Sequence, residues 1–301
     1  MVKIRNLKKT YKSFPVLRGL CMDIYDGDVY GFLGRNGCGK TTTMNIICDV
    51  IPKDEGDVEL GGSRTQGDGK KISIGYLPES PTIFGYMTAR EYLEYIAACC
   101  GYDGDIKKRT GEVLDIVGLS SAADRRTKGF SRGMTQRLGI GAAIYKNPDL
   151  LIFDEPTSAL DPQGRLEVVD IINRLKGMGR TIVLSTHILS DVERVANRIG
   201  IMNGGVLAEE GDLRTIMRKY SGDVISLSVR DLTQENKIAL LKVDFARAEY
   251  DEKTGIFRFG TENSADAAKR LIKMLSDMET VVDNFQIGTA NLEEVFKKVV
   301  G

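Results

Sequence analysis

Eight residues, 34-GRNGCGKT-41, carry the first chemistry in this sequence. They fit G-x-x-x-x-G-K-[ST], in which glycines let backbone amides turn inward around phosphate oxygens at a helix start. Gly34, Asn36, Gly37, Cys38, Gly39, Lys40, Thr41 and Thr42 are therefore candidate nucleotide contacts. Lys40 is expected to reach the β- and γ-phosphates, and Thr41 to ligate Mg²⁺. Further on, LLIFDEP (150–156) ends an apolar run with two acids. Asp154 suits a water-mediated Mg²⁺ contact, because Mg²⁺ keeps several of its waters, and Glu155 is placed to take a proton from an attacking water. Two adjacent acids after a strand also suit a solvent-facing turn; the upstream phosphate loop favours the metal-and-base reading. The single histidine, His187, follows TIVLST. At the carboxyl end of a parallel strand it would face a ligand crevice, where it could hold a γ-phosphate and orient water. A histidine satisfied within its own turn is the plainer alternative. Cys38 reads as a small filler, or as a thiol whose pKa the helix start lowers and whose modification blocks nucleotide.

These groups need strands and helices to hold them. VYGFLG (29–34) reads as a buried strand that breaks into the glycine loop, and Met44, Ile47, Cys48 and Ile51 recur at helical spacing behind it. Residues 87 to about 146 read as helical: TARE (88–91) forms a capping box, Thr88 with Glu91, ahead of YLEYIAACC. Tyr92, Tyr95 and Ile96 suit core or groove. From 149 to 205, DLLIFD, RTIVLST and RIGIMNGG alternate with helices, which predicts an α/β domain around a largely parallel sheet. Composition changes near Ser221-Gly222. Beyond it the order β-α-β-β-α-β-α predicts a small α+β accessory domain over about 222–301, ferredoxin-like in pattern, closed by a helix that Asn291 caps. The domain boundaries are thus 1–221, with a helical subdomain at about 87–146, and 222–301.

Composition excludes several classes. The chain has 301 residues, 42% hydrophobic and 28% charged, with 42 basic against 42 acidic side chains. A balanced charge gives no field for nucleic acid. Five cysteines without CxxC spacing suit reduced thiols in a cytosol, and one histidine excludes a site needing several imidazoles. The start, MVKIRNLKKTYKSF, lacks the apolar stretch of a signal peptide, and no apolar run reaches membrane-helix length. If the protein serves a membrane, another chain crosses it.

The order of the motifs resembles the ATP-binding subunit of an ABC transporter, over about residues 2–220. Phosphate loop, YLPES (76–80), FSRGM (130–134), LLIFDEPTSALDP and His187 follow the family's sequence of elements. The resemblance implies a P-loop NTPase fold of the ABC ATPase type with an inserted helical subdomain, plus the small C-terminal domain. It implies that Tyr11 stacks on adenine, that Glu155 is the catalytic base, that Ser158 to Asp161 form the loop communicating with the opposite subunit, and that His187 is the switch histidine. Asp161 is thereby a nucleotide-site candidate. Two positions depart from the pattern. Glu79 stands where the family has glutamine; a carboxylate keeps the hard oxygen for metal but cannot donate a hydrogen bond. In place of LSGGQ stands Phe130-Ser131-Arg132-Gly133-Met134. Ser131 and Gly133, the elements that hold a γ-phosphate at a helix start, are retained, and Arg132 requires a backbone that tolerates a side chain.

An acid at the glutamine position, a basic residue in the signature and the tail NLEEVFKKVV resemble one exporter branch, whose ATPase and membrane protein are separate chains. Members move drugs, peptide antibiotics or polysaccharides outward. In the family each ATP is closed between the phosphate loop of one subunit and the signature of the other. One copy of each therefore implies a two-fold homodimer at the cytoplasmic face of the membrane, peripheral to an integral-membrane permease chain that docks near residues 79–90, where Ile83, Phe84, Tyr86 and Met87 offer either apolar contact or side chains for the chain's own core. Two other classes compete: a soluble ABC-type ATPase acting on ribosomes or DNA, and an ATP-binding module without turnover. A single cassette without heptads or a basic tract argues against the former, and the retained Glu155 and His187 against the latter.

Overall fold

The computed structural model describes all residues except 62, 65–71, 222, 246, 253, 262, 279 and 290. It forms two compact units, Met1–Asp212 and Leu213–Val299.

In the first unit a hairpin of β1 (Val2–Tyr11) and β2 (Phe14–Ile24) precedes β3 (Val29–Gly34), the phosphate loop and α1 (Lys40–Ile47). Then come β4 (Glu55–Leu60), β5 (Ser63–Arg64) and β6 (Ile74–Leu77), and the helices α2 (Ala89–Cys99), α3 (Ile106–Ile116) and α4 (Arg132–Ile144). The unit ends with β7 (Leu150–Asp154), α5 (Pro162–Gly177), β8 (Thr181–Thr186), α6 (Leu189–Val195), β9 (Arg198–Asn203) and β10 (Val206–Asp212).

Two sheets result. One is antiparallel, in the order β2-β1-β4-β5. The other runs β10-β9-β3-β8-β7-β6; all its pairings are parallel except β9 with β10. Every residue of β3, β7 and β8 is buried, which explains their continuous apolar runs. Tyr30, Phe32, Ile152 and Val183 of the parallel sheet share one core with Ile4, Leu20 and Met22 of the other and with Met44 of α1. The phosphate loop thus leaves the carboxyl end of a strand flanked on both sides, where open α/β sheets bind ligands.

Helices α2 to α4 are inserted between β6 and β7, which are neighbours in the sheet. Thr88 caps α2 with the predicted box: its hydroxyl accepts from the Glu91 amide, and the Glu91 carboxylate accepts from the Thr88 amide at 2.8 Å. The expectation for α1 needs correction. The helix stops at Ile47, and Asp49 takes a left-handed φ of 57°, so Ile51 lies beyond it.

The second unit comprises α7 (Leu213–Ser221), β11 (Asp223–Arg230), α8 (Gln234–Leu241), β12 (Arg247–Asp251), β13 (Ile256–Thr261), α9 (Ser264–Asp277), β14 (Val281–Thr289) and α10 (Leu292–Val300). Its sheet is antiparallel, in the order β12-β13-β11-β14, which is the split βαβ arrangement of ferredoxin-like domains. Phe257, Phe259, Ile225 and Leu227 pack under Leu240, Leu271 and Leu275. The sequence boundary after residue 221 differs from the structural one, because α7 belongs to this unit. Among the described residues, no helix is long and apolar enough to cross a membrane.

Candidate nucleotide site

Glycine is dictated in the phosphate loop by the chain's own packing. A Cβ on Gly34 would lie 2.5 Å from Cys38 Sγ and 3.0 Å from the Met202 carbonyl oxygen. Gly39 has a φ of +114°, which L side chains rarely adopt, and a Cβ there would meet Leu17 Cδ2 at 2.8 Å. The loop therefore closes tightly over β2 and β9. Lys40 opens α1 with its side chain folded back and buried. Its Nζ donates to the Gly34 carbonyl at 2.8 Å and to the Arg35 carbonyl at 3.4 Å, and lies 3.7 Å from Glu155 Oε1. The ammonium is thus buried among two carbonyls and a carboxylate of its own chain.

The acids come from the strand next but one. Asp154 ends β7 and is 2% exposed. It pairs in register with Ser185 of β8, whose hydroxyl donates to Asp154 Oδ1. Glu155 leaves the strand with a φ of 49°. Its amide donates to the Ser185 carbonyl at 3.0 Å and to Ser185 Oγ at 3.1 Å. Its carboxylate turns to His187, with Oε2 at 2.9 Å from Nδ1. Lys40, Glu155 and His187 thus form a chain of contacts across one cleft of about 370 Å³.

Asn36, Gly37, Gly39, Lys40, Thr41 and Thr42 line that cleft from the phosphate-loop side. Glu79, Glu155 and His187 line it from the other. Gly34 and Cys38 lie at the base of the loop, and Asp154 stands behind Glu155. The oxygens available, a threonine hydroxyl and carboxylates, are the hard donors that Mg²⁺ takes, and a set this sparse leaves room for its retained waters. Val16 of β2 also lines the cleft, a residue the sequence did not single out. Its signal is tertiary, since its Cγ1 would lie 3.1 Å from a Cβ on Gly39.

Of the two readings of Cys38, the thiol with a lowered pKa does not hold. Burial pushes Cys38 up, more than the neighbouring Lys40 charge pulls it down. Behind the site, burial and then the Asp154 charge push Cys48 up to about 12, and the same causes push Tyr76 up to about 12.

Besides Gly34, Cys38 and Asp154, four more candidates do not line this cleft. Tyr11 is half-exposed at the end of β1, with Lys9 Nζ 5.7 Å above its ring. Ser131 caps α4, accepting from the Met134 amide at 3.2 Å. Asp161 caps α5, accepting from the Gly164 amide at 2.9 Å. Gly133 packs beside that second cap: a Cβ on it would lie 3.7 Å from Gly164 Cα. The signature turn and the Asp161 turn thus form one locus of their own.

Residues 17–158 match the family model described as ABC transporter. The chain is 30% identical to the linearmycin resistance ATP-binding protein LnrL of Bacillus subtilis, covering 100% of this chain and 98% of the relative. It is 34% identical to the bacitracin transport ATP-binding protein BcrA of Bacillus licheniformis, covering 100% and 97%. A solved dimer of the ATP-binding cassette MJ0796 with ADP and Pi aligns with a TM-score of 0.64 at 27% identity, covering 71% of this chain and 99% of that one. With a phosphate loop built for a polyphosphate and two acids beside it, the chain belongs to the ABC transporter family, as an ATP-binding and ATP-hydrolysing subunit for driven transport.

Proposed function

We propose that two copies of this chain close around ATP and reopen after hydrolysis, powering a separate membrane chain that exports a drug or peptide antibiotic. One observation carries the dimer. The cleft holds the phosphate loop, Glu155 and His187, while Ser131 and Gly133 lie at a different locus of the same chain. Nothing in its own chain requires Gly133 to be glycine. A Cβ there would meet only ordinary contacts, at 3.7 Å and 4.0 Å. An open turn at the start of a helix suits a phosphate brought by another copy. A two-fold axis satisfies both halves on both chains at once.

Within each site, ATP displaces the Lys40 ammonium from Glu155 towards the β- and γ-phosphates. Glu155, freed on that side and held by His187 on the other, accepts the proton of the attacking water. Thr41, Asp154 and Glu79 would hold Mg²⁺, which neutralises phosphate charge when bound. Tyr11 offers a ring to adenine, and Asp161 orders the loop that faces the partner copy.

The membrane chain docks beside α2. Tyr86 is 64% exposed and Phe84 37%, and Phe84 stacks on Tyr86 at 5.7 Å and meets Tyr95 edge-on at 5.6 Å. The names of LnrL and BcrA, linearmycin resistance and bacitracin transport, support an antibiotic as cargo. That reading locates the protein at the cytoplasmic face of the membrane. The test is co-expression with a candidate permease, a polytopic membrane protein sought among the neighbouring genes, followed by detergent extraction and challenge of the cells with bacitracin. Co-purification, with resistance lost in Glu155→Gln, is the expected result. A chain that instead pellets with ribosomes or DNA and leaves resistance unchanged overturns it.

A further inference from the structure

We infer that Ser185 is a positioning residue that couples the metal-site carboxylate to the catalytic one. The inference rests on the proposed roles of Asp154 and Glu155. It starts from register: β7 and β8 pair Asp154 with Ser185 directly, and Ser185 is completely buried. A hydroxyl has one proton and two lone pairs. Ser185 uses the proton on Asp154 Oδ1 and a lone pair on the Glu155 amide, at 3.1 Å. Its carbonyl takes the same amide at 3.0 Å. One residue therefore holds the side chain of one acid and the backbone of the next.

That division has consequences at both acids. Asp154 is 2% exposed, so an oxygen deprived of the Ser185 proton has little water to replace it. With Oδ1 occupied, the carboxylate is fixed in rotation and its other oxygen is aimed. Glu155 sits at a left-handed φ of 49°, a conformation a non-glycine residue keeps only where its surroundings impose it. The doubly accepted amide is such an imposition. His187, two residues beyond Ser185, contacts the Glu155 carboxylate at 2.9 Å, so β8 controls the base at both its backbone and its side chain. Groups one layer out from a metal act in this way, orienting the ligands without touching the ion.

The experiment compares Ser185→Ala, Ser185→Cys and Ser185→Thr with Asp154→Asn in the full chain. Binding of a fluorescent ATP analogue is titrated with and without Mg²⁺, alongside kcat, KM and thermal midpoint. Alanine removes the hydroxyl; cysteine keeps the volume but is a weak donor; threonine keeps the hydroxyl. In Ser185→Ala and Ser185→Cys the Mg²⁺ concentration needed for half-maximal binding and the kcat should each worsen by about tenfold. Metal-free affinity should stay unchanged, and Ser185→Thr should recover most of the loss. Wild-type Mg²⁺ dependence in the alanine variant overturns the inference, as does full recovery by cysteine, which would reduce the residue to a space-filler. Loss of metal-free binding in the alanine variant also overturns it. If Asp154→Asn leaves the Mg²⁺ requirement untouched, the metal role of Asp154 fails instead.

Discussion

The cleft at the end of β3 and the turn that opens α4 are both glycine-containing helix starts proposed to meet phosphate, yet they are built on opposite terms. In the cleft, the chain's own packing compels the sequence. Gly34 and Gly39 have no room for a Cβ, Glu155 is held at a positive φ, and Lys40 is buried among partners of its own chain. At the turn nothing is compelled. Ser131 is an exposed, ordinary cap, and neither Arg132 nor Gly133 takes a positive φ. A site prepared within one chain can bind ATP alone. The open turn enters the proposed site only through a second copy.

The largest effect tests the prepared side. Glu155→Gln keeps the shape and removes the base, so ATP hydrolysis should fall by roughly 10²–10⁴-fold, the range for general acid–base catalysis. ATP affinity should persist, and a dimer should accumulate with ATP on size-exclusion chromatography. Normal turnover would remove Glu155 from the role of base. Next comes the open side. Ser131→Arg places a long cation where the partner's γ-phosphate is to sit, and ATPase activity should drop by roughly 10²-fold or more. Nucleotide binding to the single chain should be unaffected, because Ser131 does not line its own cleft. Impaired binding by the isolated chain would erase the distinction between the two sites.

A pair of glycine variants sharpens the comparison further. Gly39→Ala forces an L side chain to a φ of +114° against Leu17 and should destabilise the fold by about 1–3 kcal/mol in thermal or urea unfolding. Gly133→Ala should leave stability equal or raise it by up to about 0.5–1 kcal/mol, as alanine does in a helix. Its ATPase activity should nonetheless fall. Equal stability losses in the two variants would mean that both glycines serve their own chain.

What the sequence made legible follows from the same difference. The phosphate loop, the Thr88–Glu91 box, the Asn291 cap and the element order of the second unit are local patterns, and local patterns can be read along the chain. Ser185 and Val16 could not be read in this way. Ser185 matters because two strands thirty residues apart pair Asp154 with it, and Val16 because β2 folds over Gly39. The direction of the Cys38 shift depends on tertiary packing for a related reason. A helix start alone lowers a thiol pKa, but the buried floor beside Gly34 outweighs it.

That reversal gives a chemical test of how closed the cleft is. The thiolate is the reacting species; Cys48, pushed up to about 12, holds about one thiolate in 10⁵ at pH 7, and burial pushes Cys38 in the same direction. Iodoacetamide at neutral pH should therefore modify the exposed Cys21 and Cys99 well before Cys38 and Cys48, as read by mass spectrometry. Cys38 reacting first would indicate an open loop.

The smallest effect belongs to Arg132. It occupies the first helical position of α4 with ordinary helical backbone, exposed, directly beside the Ser131 cap. Glycine there surrenders helix propensity, which costs about 0.5–1 kcal/mol, but takes nothing from the Ser131 hydroxyl or from the Gly133 amide. Arg132→Gly should thus lose that much stability and keep ATPase activity within about twofold, the scale of a surface change away from packed features. Steady-state turnover against protein concentration separates the possible outcomes. A loss at all concentrations would show that the backbone of the turn needs the arginine. A loss that disappears at high concentration would show that the guanidinium helps two copies meet, in which case positive charge at this turn, and not only its shape, belongs to the open half of the site.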